Sequence, residues 1–534
     1  MQKDNLKIVI VGGSAGGATL ATTLRRLDES SEIIIIERGP DVSFANCSLP
    51  YYFEGMVDSI EKLSITTPKQ FKSRYNIDAR VNEEVLKINR VEKTVEVKNL
   101  ETNVIYEISY DYLILSPGGN PNEPKNLLGK NVFSLRNVQD VRDIDKYIKE
   151  NEVKSVGVIG NGFIGVEVAE AFKLGGMNKV TLFGSRNQVL TPFDEDMAQI
   201  IHKEMMDKGV DLVLGSRVSE TTLEGIKLES GEFYDGELII LAIGISPETT
   251  LVKDAGLKIG STGGILVDAN YKTNDDFIYA VGDAVEIHDK LTGKPTMLAL
   301  AGPAHRQADK VANHIYGDNS FSKGVINSFI LRVFDLNCAS VGLNEKTLQD
   351  EKRKYKFVYT TSRDKVENSD PIHIKLIFED PTGLILGAQI IGRGEVTQRI
   401  NVVSTLIFMG GTIQDMWENE LAYSPLYSTP KDITNLIAST GINYLKGEFK
   451  KVPIRDVRKL VEDGEYILDT RSKKAFEKAR IIGSTNIPSG ELRERLNEIP
   501  KDKPLYTNSY SSLKILLNNG FTNGVLIDGG YEDL

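Results

Sequence analysis

The sequence predicts a multidomain α/β protein built on parallel sheets. The first observation behind this is a pattern that occurs twice, at residues 7–28 and 156–173: a short apolar run, a glycine-rich turn and a helical stretch. Apolar runs without polar alternation mark strands buried on both faces, and such strands need helical crossovers to lie parallel. The second is length, since 534 residues exceed what one hydrophobic core holds and point to about three or four domains. The third is a change of register after INYLKGEFKK (Ile442–Lys451), where a new series of strand and helix patterns begins.

KIVIV (Lys7–Val11) reads as the first strand, GGSAGG (Gly12–Gly17) as the turn and ATLATTLRRLD as the helix. EIIIIE then closes the unit at Glu37. Gly12 and Gly17 take the outer positions of a dinucleotide fingerprint and Ser14 the middle one. Glycines let the backbone approach a pyrophosphate, which sits on the helix N-terminus where free N–H groups favour anions. Glu37, 25 residues after Gly12, is placed to accept hydrogen bonds from a ribose diol. The second copy, VGVIGNGFIGVEVAEAFK (Val156–Lys173), carries a full GxGxxG at Gly160, Gly162 and Gly165. Its closing strand, KVTLF, ends in Gly184, Ser185 and Arg186 without an acid. A carboxylate there would repel a 2′-phosphate. Ser185 leaves room for one and Arg186 can pair with it, so NADPH is expected ahead of NADH. Two nucleotide folds in one chain suggest two cofactors that exchange electrons.

Composition narrows the rest. A net charge of −11 argues against a nucleic-acid-binding surface, although a local basic pocket for a phosphorylated ligand stays open. No run approaches the roughly 18 apolar residues of a membrane span. The N-terminus MQKDNLKIVIVGG lacks the apolar core and cleavage site of a leader. Cys47 and Cys338, the two cysteines, give no disulfide framework, which suits a reducing cytoplasm. Neither the cysteines nor the five histidines show metal-ligand spacing, so no metal is expected.

Further along, IYAVGDA (Ile278–Ala284) is a strand ending in Gly282 and Asp283. It resembles the segment by which flavoprotein reductases hold the ribityl and phosphate part of FAD. YDYLILSPGG (Tyr110–Gly119) and LIILAIGISP (Leu238–Pro247) resemble the crossover segments of those reductases, and Arg136 in LRN their flavin neighbour. Over residues 5–445 the chain resembles the pyridine nucleotide–disulfide oxidoreductases. Within them it is most similar to the single-cysteine branch of coenzyme A-disulfide reductase and NADH oxidase/peroxidase, because SFANCSLPYY (Ser43–Tyr52) matches that branch's active-site segment. No second cysteine follows within Ser48–Tyr52, which excludes the CxxxxC branch.

The resemblance implies an FAD-binding domain formed by residues 1–120 and 245–325, an NAD(P)H-binding domain at 121–244 and an α+β dimerisation domain at 326–445. For the two cofactors it implies contacts from Gly12, Ser14, Gly17, Glu37, Arg38, Asn46, Val81, Ser116, Pro117, Gly118, Arg136, Gly244, Gly282, Asp283 and Ala301, and from Gly160, Gly162, Phe163, Ile164, Gly165, Glu167, Ser185 and Arg186. Cys47 then forms a mixed disulfide with a small thiol, its sulfur made a thiolate by a helix N-terminus and the flavin. Thr19, Arg26, Ser43, Asn46 and His305 are implied to line a coenzyme A channel, with Arg25 beside Arg26 adding positive charge. In LAYSPLYSTPKD (Leu421–Asp432) a second subunit of a homodimer offers Tyr423 as proton donor, Tyr427 nearby and Lys431 on the ligand. Cys338, in an apolar stretch, reads as core.

Two departures matter. The oxidase and peroxidase members carry a histidine in the first glycine turn where this chain has Ala15, which disfavours the alternative of oxidase or peroxidase activity through a Cys47 sulfenic acid. A further alternative is a redox- or sulfur-sensing module, against which two intact nucleotide motifs speak. The reductases also carry a Tyr-Tyr-Pro stretch where RDKVENSDP (Arg363–Pro371) has no aromatic residue; Lys365 or Val366 stands there. Finally, residues 453–534 resemble a rhodanese domain through Asp469-Thr470-Arg471, GSTNIP and LIDGGY. Its sulfur-carrying loop is YTNSYSS (Tyr506–Ser512), which has no cysteine, so the module cannot carry a persulfide.

Overall fold

The computed structural model describes residues 5–529; the first four residues of MQKDNLKIVIVGG and the last two of LIDGGY lie outside them. The described residues form two compact units, residues 5–189 with 206–325, and residues 190–205 with 326–529.

The first unit holds two all-parallel five-stranded sheets. In one the order is Ile278–Ala280, Tyr112–Leu115, Lys7–Val11, Glu32–Ile36, Asp78–Arg80. In the other it is Val210–Leu214, Lys179–Gly184, Ser155–Ile159, Leu238–Leu241, Val132–Ser134. Ile8, Ile10, Ile34 and Ile35 are buried, as an apolar run in the middle of a parallel sheet requires. Helix α1 (Ala15–Leu27) leaves the first sheet and buries Leu20, Ala21 and Leu24. It ends with Arg25 and Arg26 in its last turn, where positive charge suits the carbonyl end. Helix α2 (Leu49–Glu54) starts with Pro50 in its first turn and is closed by Gly55 in the left-handed region (φ 87°). Helix α3 (Phe163–Leu174) leaves the second sheet, and α4 (Ala301–Ile315) packs along α1. The Phe53 ring of α2 stacks on Phe172 of α3 with centroids 4.8 Å apart, which seats the segment after Cys47 on the second nucleotide fold.

The second unit contains a five-stranded antiparallel sheet, ordered Phe329–Val333, Leu336–Gly342, Ile385–Gly392, Pro371–Glu379, Tyr355–Arg363. Cys338 is wholly buried in it between Leu331 and Ile391, as a core residue. A parallel sheet follows, ordered Lys450–Pro453, Gly524–Asp528, Leu505–Thr507, Tyr466–Asp469, Thr485–Asn486, with Leu468, Ile487, Leu505, Leu516 and Phe521 in its core. Residues 190–205 group here because Phe193 meets Phe329 edge-on and the acids beside it meet a buried lysine.

That lysine, Lys375, is 0% exposed and lies 2.8 Å from Asp194, 3.0 Å from Asp196 and 2.6 Å from Glu345. Glu345 also takes Arg455 of the C-terminal module at 3.1 Å. Lys451 pairs with Asp528 at 2.6 Å, and Asp528 accepts the Tyr359 N–H at 3.3 Å. Charges this deep are tolerable only when every one is paired, so the network joins the module to the antiparallel sheet in one registration. Among the described residues, no helix is long and apolar enough to cross a membrane, and no group of three or more His, Cys, Asp or Glu side chains could hold a metal ion.

Candidate functional site

The first glycine turn is as tight as the fingerprint demands. Gly12 has φ +94°, a Cβ on it would collide with the Ser116 carbonyl, and a Cβ on Gly17 would collide with Gly12 O. The second turn repeats this: Cβ atoms on Gly160 and Gly165 would strike Ala242 O and Gly160 O, whereas nothing stands within 4 Å of the Cβ position of Gly162. That open space above a helix start is where a pyrophosphate fits, so both turns suit a dinucleotide.

Around the first turn the expected residues are brought together. The Glu37 carboxylate accepts the Gly13 N–H at 2.9 Å and the Gly39 N–H at 2.8 Å, which fixes it at the strand end. Ser43 N–H donates to Gly13 O at 2.9 Å. Ser14 Oγ donates to Asn46 Oδ1 at 3.1 Å, Asn46 Nδ2 donates to Arg136 O at 3.3 Å, and Arg136 pairs with Asp283 at 2.8 Å. Ser43 and Asn46 thereby staple the Cys47 segment onto the glycine turn. Gly282 N–H donates to Gln307 of α4 at 2.7 Å, and Gly118 lies under the Arg136 guanidinium. Thr19 and His305, 286 residues apart in the chain, meet at 2.5 Å across α1 and α4. Val81 packs against the core of the first sheet, Arg38 lies near Glu84 at 3.8 Å, and Ala301 opens α4.

Two expectations are corrected. Arg25 does not face a ligand: it is 3% exposed, and its guanidinium donates to the carbonyls of Asp28, Ser31, Tyr75 and Asn76. Its charge is spent on closing the end of α1, while Arg26 stays on the outer face and donates to Thr23 Oγ1 at 2.6 Å. The polypeptide also does not lower the Cys47 thiol. Cys47 opens to solvent, yet the protein packed behind it, and then the Glu167 and Asp283 carboxylates, push the thiol up, against a smaller opposing pull from Arg136. The backbone N–H at Cys47 does pull the thiol down, but only weakly against burial, since Cys47 sits in a short turn (Asn46–Ser48) ahead of a helix of only six residues.

In the second fold, Phe163 and Ile164 open α3 and Glu167 lies in its second turn. Asn161, inside the glycine turn and missed by sequence reasoning, fills the space beside Gly184. Its amide donates to Gln188 O at 2.6 Å and to Arg186 O at 3.3 Å, so it holds the loop that presents the exposed Ser185 and Arg186. A short amide between two glycines was the only available signal. Gly244 (φ +94°) closes the neighbouring crossover, its carbonyl accepting the Asn122 N–H at 3.0 Å.

In the second unit, Tyr423 is 47% and Tyr427 69% exposed, with Lys431 exposed beside them. Pro425 O, between the two tyrosines, accepts the N–H groups of Val366 and Glu367 at 3.2 and 3.1 Å. The stretch without aromatic residues therefore lies against the tyrosine loop. In the C-terminal module only Asn508 and Ser509 separate the strand Leu505–Thr507 from helix α5 (Tyr510–Asn518). Asn508 Oδ1 accepts the Thr470 N–H at 3.1 Å and Ser512 Oγ donates to Thr470 Oγ1 at 3.0 Å, so this turn is tied to the end of the strand Tyr466–Asp469.

Two parallel-sheet nucleotide folds in one unit, with a lone cysteine stapled to the first, define a redox protein of the two-nucleotide class. The chain belongs to the pyridine nucleotide-disulphide oxidoreductase family, whose model matches residues 6–308. The dimerisation domain of that family matches residues 330–432 and a rhodanese-like domain residues 454–534. Membership implies FAD and NAD(P)H as cofactors. The chain is 34% identical over 439 residues to a coenzyme A disulfide reductase of Staphylococcus epidermidis, covering 81% of this chain and 98% of that one. The crystal structure of reduced Bacillus anthracis CoADR-RHD is similar with a TM-score of 0.94 and 40% identity, covering 100% of this chain and 98% of that one. An NAD-dependent persulfide reductase from A. fulgidus is similar with a TM-score of 0.93 and 32% identity, covering 99% and 100%.

Proposed function

We propose that this protein is a cytoplasmic, homodimeric, NADPH-preferring reductase of coenzyme A-linked disulfides or persulfides, with Cys47 as its redox centre. The observation that carries this is the seating of Cys47: Ser43 and Asn46 bind its segment to the first glycine turn, and α2 behind it rests on α3 of the second nucleotide fold. The names of the relatives give the sulfur chemistry.

FAD, when bound, supplies the two-electron relay between the nicotinamide and sulfur. The residues do the rest. Cys47 Sγ, as thiolate, attacks one sulfur of the substrate, forms Cys47–S–S–CoA and expels the other sulfur as a thiolate or hydrosulfide. That leaving sulfur takes a proton from the hydroxyl of the partner subunit's Tyr423, with the partner's Tyr427 alongside. Two electrons then cleave the mixed disulfide, which returns Cys47 as a thiolate and frees coenzyme A with one further proton. Thr19, Arg26, His305 and the partner subunit's Lys431 hold the phosphorylated part of coenzyme A. The rhodanese-like module, having no cysteine, serves assembly or substrate access.

The test is anaerobic turnover of the flavin-loaded protein with NADPH and with NADH. Coenzyme A disulfide, coenzyme A persulfide, polysulfide, peroxide and oxygen are supplied in parallel. Turnover confined to the sulfur substrates and faster with NADPH is expected; turnover only with peroxide or oxygen would overturn the proposal.

A further inference from the structure

The loop Gly184-Ser185-Arg186 has a twin. The neighbouring parallel strand, Val210–Leu214, runs into Gly215-Ser216-Arg217, and the register sets Gly184 opposite Leu214. The two turns are laced together: Gly215 N–H donates to Arg186 O at 3.0 Å and Ser216 N–H to Gly184 O at 3.2 Å. Arg186 O also takes the Asn161 amide at 3.3 Å, so one carbonyl ties both turns to the glycine-rich turn. Gly215 (φ +75°) comes so close to Asn187 that a side chain there would strike its amide oxygen. Arg217 is held in turn by its own carbonyl, which accepts the Glu229 N–H at 2.9 Å. Both guanidiniums are exposed, and among the described residues neither has an ion-pair partner. In a chain of net charge −11, two uncompensated Ser-Arg pairs at adjacent carboxyl ends of parallel strands form a built anion rim.

We infer that Arg217, with Ser216, is a second half of the 2′-phosphate site of this fold, so that NADPH is selected by two strand ends and not by Ser185 and Arg186 alone. The inference rests on the NADPH preference proposed above. Carboxyl ends of parallel strands are where such a sheet meets its ligands, and two arginines from different turns can grip one phosphate from two sides.

The test is calorimetric binding of 2′-phospho-ADP-ribose and of ADP-ribose to the flavin-loaded protein, for wild type, Arg186→Ala, Arg217→Ala and Arg217→Lys. Neither probe carries a nicotinamide, so binding is read apart from turnover. Wild type is expected to favour the phosphorylated probe. Arg217→Ala should lose about tenfold in affinity for it while binding ADP-ribose within about twofold of wild type, with Arg217→Lys in between. Preference in wild type that persists undiminished in Arg217→Ala would overturn this inference and leave the NADPH reading standing. Equal affinity of wild type for both probes would overturn the NADPH reading itself.

Discussion

Two strand–turn–helix segments of this chain look like places for sulfur chemistry, and they differ in every particular that chemistry needs. In the segment at Cys47, a thiol opens to solvent between two nucleotide folds, and its neighbours Ser43 and Asn46 are bonded to the glycine turn. In the segment at Asn508, no thiol exists, the turn is two residues long, and its side chains accept the N–H groups of Thr470 and Ser512. The first keeps an unshielded reactive atom held by its surroundings. The second offers no nucleophile and is tied to the end of the neighbouring strand through Asn508 and Thr470. Fold alone therefore does not carry the chemistry; the residues at the site do.

Replacing Cys47 with serine is the largest lever on this contrast. The variant should lose at least about a thousandfold in kcat on every sulfur substrate while its bound flavin is still reduced by NADPH, as stopped-flow spectra would show. Next comes the core under the silent segment. Lys451→Ala leaves Asp528 buried without its cation and should destabilise the C-terminal module by about 3–5 kcal/mol, read as loss of amide protection over residues 450–528.

Glu167→Gln acts on the live segment more gently. Burial and then the Glu167 charge push the Cys47 thiol up. Removing the charge must move the pH profile of Cys47 alkylation toward lower pH; a shift to higher pH would show that the field of Glu167 does not reach the sulfur. Smallest of all, Asn508→Cys should give no cyanide-labile sulfur after exposure to thiosulfate, because the turn has no arginine or glycine to shape a persulfide cradle.

Much of this was legible in the residues. Buried strands announce themselves as apolar runs, so KIVIV, EIIIIE and KVTLF become the strands Lys7–Val11, Glu32–Ile36 and Lys179–Gly184. Side-chain destinations were harder. Arg25 and Arg26 are adjacent and alike in sequence, yet the 3.6-residue period turns Arg25 inward to four carbonyls and leaves Arg26 outside. The meeting of Thr19 with His305 depends on the crossing of α1 and α4, and the Lys375 network depends on three distant segments; neither leaves a local pattern. Arg217 was readable as a repeated Gly-Ser-Arg, but only the strand register shows that the two copies are neighbours.

The central claim is that sulfur redox in this chain passes through Cys47 as a mixed disulfide with coenzyme A. Intact-mass measurement after anaerobic incubation with coenzyme A disulfide tests it most directly. One coenzyme A adduct per chain, located on Cys47, absent from Cys47→Ser and discharged by NADPH, is the predicted result. An adduct on Cys338, or one on Cys47 that NADPH does not discharge, would contradict it.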